Sequence, residues 1–327
     1  MRAATYEKLG PARDVLKVGD VPKPAPQAGE VLVRVHASGV NPSDVKMRLG
    51  TSSATNEFPS IIPHSDGAGI IEAVGTGVPG TRIGERVWLW NARWKRAFGT
   101  AAEFVALPAV QAVQLPDNTD FAAGACLGIP ALTAWQAVET DGGVKDQWVL
   151  VQGGAGSVGH YAVQMAKLKG ARVIASVSSD AKAARAKAAG ADAVVNYRSE
   201  DLVQRVKALT DGKGVDRVIE VDLAANIAKL PALVADYGMI VVYGSGAREV
   251  PVSFGASILG NIGYRFFIVY NQPPELRCRG SNEVNEWLRQ GKLIHSIAAR
   301  YPLSEIVAAH EAVESGKVDG QVVVMLD

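Results

Sequence analysis

Residues 147–177 read QWVLVQGGAGSVGHYAVQMAKLKGARVIASV, and the reading of this stretch decides the fold of most of the chain. Trp148, Val149, Leu150 and Val151 form a short continuous apolar run, the pattern of a strand buried on both faces. The loop Gly153-Gly154-Ala155-Gly156-Ser157-Val158-Gly159 follows, then an amphipathic helix to Gly170, then a second apolar strand, Arg172–Val177. Gly154, Gly156 and Gly159 fit the spacing G-x-G-x-x-G between a strand and a helix, the context that gives the spacing physical meaning. The first glycine is expected to turn the chain sharply off the strand. The second lets backbone N–H groups approach a pyrophosphate, and the third lets helix and strand pack closely. The helix then points its positive end at the phosphates. The loop as a whole, including Ala155, Ser157 and Val158, is thus a candidate dinucleotide site.

Outward from this unit the alternation continues. Strands are predicted at Ala193–Val195, Arg217–Val221, Met239–Tyr243 and Tyr264–Tyr270, with helices at Ala181–Ala189, Asp201–Leu209 and Ala224–Ala235 between them. Successive βα units imply an α/β unit with a doubly wound parallel sheet and its ligand at the carboxyl ends of the strands. Residues 1 to about 118 read differently. Short alternating runs such as Val31–Val35 and Gly69–Val74 are punctuated by prolines and glycines, as in a small β-rich barrel. After two helical stretches, 283–290 and 303–315, a last strand at Gln321–Leu326 is expected to rejoin that barrel.

The second strand also bears on the cofactor. A site for NAD normally carries Asp or Glu near its end to accept from the ribose 2′-OH. Here the strand ends in Ser178-Ser179, and the following Asp180 reads as the N-cap of the next helix. Uncharged hydroxyls followed by Lys182 suit a 2′-phosphate, which points to NADPH.

Bulk properties narrow the remaining classes. The chain has 327 residues, 48% apolar and 20% charged, with a formal net charge of +1. That length favours two domains, and that charge gives no electrostatic footprint for nucleic acid or an anionic membrane. The two cysteines, Cys126 and Cys278, offer no disulfide framework. With no apolar leader-like segment or run long enough to span a bilayer, a cytoplasmic protein is expected.

Further motifs carry a family resemblance. They are Ser38-Gly39-Val40-Asn41-Pro42-Ser43-Asp44, Ser65–Gly75, Gly128–Trp135, the glycine loop, Asn196-Tyr197-Arg198, Tyr243-Gly244-Ser245, and Tyr301-Pro302-Leu303 with Ala309-His310-Glu311. Together they resemble the zeta-crystallin-like quinone oxidoreductases, the zinc-free branch of the medium-chain dehydrogenase/reductases. The resemblance implies a discontinuous GroES-like catalytic domain, residues 1–118 and 265–327, and a Rossmann NADPH-binding domain, 119–264. It implies that Tyr197 and Lys182 hold the 2′-phosphate side, that Thr133 lies near the nicotinamide, and that Gly244 and Ser245 form the loop after the fifth strand. It also implies a homodimer joined through the edge strand at 264–270.

Zinc-dependent relatives carry Cys where this chain has Asn41 and His where it has Ser65. No metal is therefore expected, and His64 reads as a hydrogen-bonded loop histidine or a cleft histidine touching substrate. Asn41 is then the first candidate to donate a hydrogen bond to the acceptor's oxygen. Asp44 either orients that amide, sits over the nicotinamide ribose, or is a first-turn acid favoured by the helix dipole. Lys46 stands where the family usually has tyrosine, as does Ser52 nearby, so Lys46 either donates a proton, binds an anionic group or faces solvent. In the loop 91–98, Trp94 and Phe98 either wall a pocket, with Arg93 or Lys95 attracting an acidic substrate, or anchor a solvated loop. The expected activity is metal-free hydride transfer from NADPH to a quinone or enone. An enoyl-type double-bond reductase and a redox-inactive NADPH-binding protein are the alternatives.

Overall fold

A computed structural model describes residues 1–51 and 58–326; Ser52 lies outside the described residues. The chain forms two compact units, residues 1–129 with 281–327, and residues 130–280. The first unit opens with β1 (Arg2–Thr5), β2 (Lys17–Asp20), β3 (Glu30–Val40), β4 (Asp66–Val74), β5 (Arg86–Leu89), β6 (Phe104–Pro108) and β7 (Ala112–Gln114). The second holds β8 (Trp148–Val151), β9 (Arg172–Val177), β10 (Ala193–Asn196), β11 (Val215–Glu220), β12 (Val234–Val242) and β13 (Gly263–Phe266). The chain then returns to the first unit with β14 (Ile297–Pro302) and β15 (Gln321–Met325).

The second unit is a Rossmann fold. Its sheet runs β10-β9-β8-β11-β12-β13, and every neighbouring pair is parallel. Two halves thus wind outward from the β8/β11 junction, the place where this topology opens a crevice for ligand. Side-chain alternation explains the packing. Ala193, Ile174, Leu150, Val218, Ile240 and Tyr264 stand side by side in register across all six strands and contribute to one apolar core. The opposite face is also apolar, since Val149, Val151, Val173 and Val177 are buried, as expected for a sheet covered on both sides.

The first unit is GroES-like. Its sheet runs β14-β15-β3-β4-β5-β7, with β6 also on β3. The 11-residue β3 is its spine: β4, β6 and β15 all pair with it antiparallel. The carboxyl-terminal strand therefore closes onto the amino-terminal barrel. Val31, Val33, Val35, Val87, Leu89, Val105 and Leu107 fill one core, and a second gathers Ile61, Ile62, Val322 and Val324.

Several boundaries differ from the sequence reading. The compact units change over after residues 129 and 280, later than the expected 118 and 264. The helix Phe121–Gly124 lies against β3 and β4, and the Asp66 carboxylate accepts from Ile129 N–H at 2.9 Å, which ties residues 119–129 to the barrel. The sixth strand ends at Phe266, because residues 269–271 turn into a short 3-10 helix that buries Val269 and Tyr270. The helix expected at 224–235 is two short ones, Leu223–Asn226 and Leu230–Leu233, with Pro231 in the first turn of the second. Proline is suited to that first turn and not to the interior of one continuous helix.

Residues 281–289 of the helix Pro274–Arg289 join the barrel through Asn285, which accepts from buried Trp88 Nε1 at 3.0 Å and donates to the Gln114 carbonyl at 2.8 Å. Asn285→Leu leaves the buried Trp88 N–H without its acceptor, so unfolding free energy should fall by about 2 kcal/mol. A denaturant titration with an unchanged midpoint would contradict this.

Candidate active site

The residues expected to meet the nucleotide collect along one edge of the Rossmann sheet, because parallel strands present all their carboxyl ends together. The loop after β8 carries the fingerprint glycines. The left-handed turn falls on Gly153, with φ +66°, and not on Gly154 as expected. Gly154 instead runs beside β9: its N–H donates to the Ser176 carbonyl at 3.0 Å, and a Cβ there would lie 2.7 Å from Ala175 Cβ. At Gly159 a Cβ would lie 2.2 Å from the Gly153 carbonyl oxygen, so any side chain would prise the helix Ser157–Leu168 off the loop. At Gly156 the nearest such neighbour is Gly153 O, 3.3 Å away. Of the glycines in this loop, Gly156 is the exposed one. Ala155 is buried, while Ser157 and Val158 begin the helix.

The neighbouring strand ends complete the edge. Ser178 and Ser179 follow β9, and Tyr197 follows β10 with its N–H on the Val177 carbonyl at 3.1 Å. Ser179, not Asp180, is the N-cap of the helix Asp180–Ala188: its Oγ accepts from Lys182 N–H at 3.3 Å. Both residues have short acceptors, and Ser179 takes the role because its backbone is extended while Asp180 is already helical. Lys182 is half-buried in the first turn, and Tyr197 and Arg198 are exposed. After β12, Gly244 is forced by closeness, since a Cβ would lie 2.2 Å from the Val221 carbonyl oxygen. Gly244 and Ser245 line a cavity of about 560 Å³ with Tyr243, Arg248, Phe266 and Phe267. Ser245 Oγ donates to the Ala247 carbonyl at 2.7 Å. Thr133 is buried on the helix Leu132–Glu139.

In the barrel unit, Asn41 caps the helix Pro42–Leu49 and is almost fully buried. Asn41 Nδ2 donates to Asp66 Oδ2 at 2.9 Å, and the Asp44 carboxylate accepts from the Asn41 backbone N–H at 2.9 Å. A carboxylate only accepts, so Asp66 fixes which end of the amide is nitrogen. Asp44 is also buried, and burial pushes its carboxyl up to about 7, against hydrogen bonds from Asn41 and Ser65 and the attraction of Arg93. Lys46 lies on the exposed face of the same helix. Structure therefore brings Asn41 and Asp44 together and leaves Lys46 apart.

Two domain families match this chain: residues 27–117 fit the alcohol dehydrogenase GroES-like domain, and residues 157–284 fit the zinc-binding dehydrogenase domain. The quinone oxidoreductase of Rattus norvegicus is 33% identical over 100% of this chain and 98% of its own length. The chain belongs to the zeta-crystallin-like quinone oxidoreductase family. Among solved structures, the Escherichia coli quinone oxidoreductase complexed with NADPH has a TM-score of 0.88 at 27% identity, covering 100% of both chains. An NAD-dependent alcohol dehydrogenase reaches 0.91 at 31% identity, also over 100% of both. As a member of this medium-chain dehydrogenase/reductase family, the protein is an oxidoreductase that works with a nicotinamide cofactor.

One of the two matched domains is described as a zinc-binding dehydrogenase domain. Among the described residues no three His, Cys, Asp or Glu side chains gather as a metal site. Both ring nitrogens of His64 are engaged, Nδ1 with Ser38 Oγ at 2.8 Å and Nε2 with His310 Nε2 at 2.9 Å.

Some participants were not foreseen. Asp66 lies inside a motif quoted for the resemblance, but nothing local marks it as the acceptor for Asn41, which is 25 positions away. Arg93 is buried, hydrogen-bonded to buried Tyr6 and close enough to Asp44 to hold its carboxyl down. It is not available to draw in substrate from solvent. Phe98 is 52% exposed and lines a separate barrel cavity with Phe104 and Arg96.

Asp44 has a consequence for pH. The folded protein holds a proton that an unfolded carboxyl releases near 3.8, so between about pH 4 and pH 7 the folded state binds more protons. Stability must fall as pH rises through that window. Asp44→Asn keeps an acceptor for Asn41 N–H and should be less sensitive to pH. Urea midpoints at about pH 5 and pH 8 should diverge for wild type more than for the variant; an equal divergence would remove Asp44 as the cause.

Proposed function

We propose that this protein reduces a quinone or an α,β-unsaturated carbonyl compound with NADPH and without a metal. The observation that carries the reading is the Asn41 amide, oriented by Asp66 with its nitrogen fixed and, among the described residues, one amide hydrogen not given to Asp66. NADPH, when bound, supplies the hydride, and negative charge gathers on the acceptor's oxygen. A donor already aimed at that oxygen stabilises the transition state more than the ground state, an effect worth about 2.7–4 kcal/mol for a single well-placed group. Asn41 fills that role, and Asp44 holds the turn that presents it.

For the cofactor, the uncharged end of β9 supports NADPH over NADH. Ser178, Ser179, Lys182 and Tyr197 stand at the ends of β9 and β10 where the ribose is read, and Ser179 Oγ still has its hydrogen to donate after capping the helix. A 2′-phosphate there would meet hydroxyls, a lysine and a helix amino terminus. The glycine loop with Ala155, Ser157 and Val158 would hold the pyrophosphate, and Thr133, Gly244 and Ser245 would serve the nicotinamide half. Cys126 and Cys278 are not joined in a disulfide, which is compatible with a reducing cytoplasm. No helix among the described residues is long and apolar enough to cross a membrane.

The test is steady-state oxidation of NADPH and NADH against a panel of ortho- and para-quinones, enones and enals. Turnover with NADPH should exceed that with NADH, and Lys182→Ala should narrow the gap. Asn41→Ala should lower kcat about 100-fold while NADPH affinity stays near that of wild type. Tight NADPH binding with no turnover on any acceptor would instead make this a redox-inactive binding protein.

The edge strand β13 supports assembly into a homodimer. It ends the six-stranded sheet with Phe266 60% exposed and Ile268 47% exposed beyond it, an edge that a second copy would cover. Sedimentation should give a dimer for wild type and a monomer for Phe266→Glu; a wild-type monomer would end this reading.

A further inference from the structure

Behind Asn41 the barrel contains a line of buried polar side chains. Thr100 Oγ1 donates to the Asp66 backbone carbonyl at 2.5 Å and meets Ser38 Oγ at 2.7 Å. Ser38 Oγ meets His64 Nδ1 at 2.8 Å, His64 Nε2 meets His310 Nε2 at 2.9 Å, and Arg48 Nε donates to His310 Nδ1 at 3.4 Å. Arg48 also donates to the Gly10 carbonyl and pairs with Glu314. Ser38, His64, Thr100 and His310 are all 0% exposed.

Counting hydrogens gives the line a direction. A carbonyl only accepts, so Thr100 spends its one hydroxyl hydrogen on Asp66 and must accept from Ser38. Ser38 has then spent its own and must accept from His64, which is therefore protonated on Nδ1. A guanidinium only donates, so His310 presents a bare Nδ1 to Arg48 and carries its hydrogen on Nε2. That hydrogen goes to the bare Nε2 of His64. Each link fits with two neutral imidazoles, and an added proton would set two donors face to face. Burial acts in the same sense: it pushes His64 down to about 3 and His310 well below its ordinary value, the latter helped by His64 and Arg48.

The line begins and ends on one helix. Arg48 lies in the last turn of Pro42–Leu49, and Asn41 caps the first. At the far end, the Asp66 residue held by Thr100 through its carbonyl is the one whose carboxylate accepts from Asn41 Nδ2 and Ile129 N–H, both at 2.9 Å. Ser38 and Asp66 are also tied through the sheet, where Gly39 pairs with Asp66 and Ser38 with Gly67.

We propose that Thr100, Ser38, His64 and His310 are positioning residues that hold Asp66, and through it the Asn41 amide, by a one-directional hydrogen-bond chain. The inference rests on the reading of Asn41 as the donor to the acceptor's oxygen. It adds that four side chains, remote in sequence, set how well that donor is aimed. None of them delivers a proton, because the chain terminates on a backbone carbonyl.

The decisive variants are Thr100→Val, which keeps the shape and removes the final donor, and Thr100→Ser, which restores it. In protein labelled with ¹⁵N at histidine and asparagine, wild type should show His64 as the Nδ1–H tautomer and His310 as the Nε2–H tautomer, unchanged from about pH 8 to about pH 5.5. The Asn41 side-chain amide resonance should move in Thr100→Val and return in Thr100→Ser. With an active acceptor, Thr100→Val should lose about tenfold in kcat, with NADPH affinity unchanged, and Thr100→Ser should recover it. Ser38→Ala breaks the line elsewhere and should act the same way if Thr100→Val fails to fold. Opposite tautomers, a charged imidazole, or an Asn41 resonance indifferent to these substitutions would overturn the chain. Absence of turnover in wild type would count against the proposed reaction alone, since the resonances report the positioning without it.

Discussion

One oxygen of Asp66 accepts from Asn41 Nδ2 and from Ile129 N–H, each at 2.9 Å. The same residue's carbonyl accepts from Thr100. Three stretches separated by dozens of positions therefore converge on the first residue of β4, and the barrel's polar interior is arranged around it. Space is as tight as the bonding: a Cβ on Gly128 would lie 2.3 Å from Asp66 Oδ1, and one on Gly39 would lie 2.1 Å from the Ala125 carbonyl oxygen. A buried carboxylate is tolerated only where its hydrogen bonds are supplied. Here they come from the cap of one helix and from the chain just beyond another.

The Rossmann unit obeys a different constraint. Ser178, Ser179 and Tyr197 stand at the ends of strands whose interiors form a continuous apolar layer, while its buried polar groups, such as Gln152 with Ser176 and Arg217 with the Val138 carbonyl, are paired inside the unit. What must be exact is backbone clearance. Gly159 and Gly244 each sit where a methyl group would overlap a carbonyl oxygen, while Gly156 alone of the fingerprint glycines is exposed. The three glycines therefore divide their work between packing and access, and Gly153, outside the motif, makes the turn.

How far the sequence could be read follows from the range of each interaction. The glycine loop and its strands are local, so spacing and apolar runs were enough to foresee the parallel sheet and its winding. Ser179 and Asp180 show the limit of local reading. Both are good caps, and only backbone conformation decides between them. Asp44 was legible as a first-turn acid, but its burial and the approach of Arg93 were not, since the loop that carries Arg93 has no periodicity to place it. The contact of His64 with His310 spans 246 positions and leaves no trace in either neighbourhood. Its existence depends on β15 closing onto β3 and carrying the helix Ile306–Glu314 with it.

The helix Pro42–Leu49 is short, yet it is gripped at both ends: Asn41 by Asp66 at the start, Arg48 by His310 and Glu314 in its last turn. Groups that share one rigid element and one hydrogen-bond network do not contribute independently. Positions 41, 44 and 48 are therefore energetically coupled. A replacement tolerated at one depends on what occupies the other two, so the stability effects of paired substitutions here should not add.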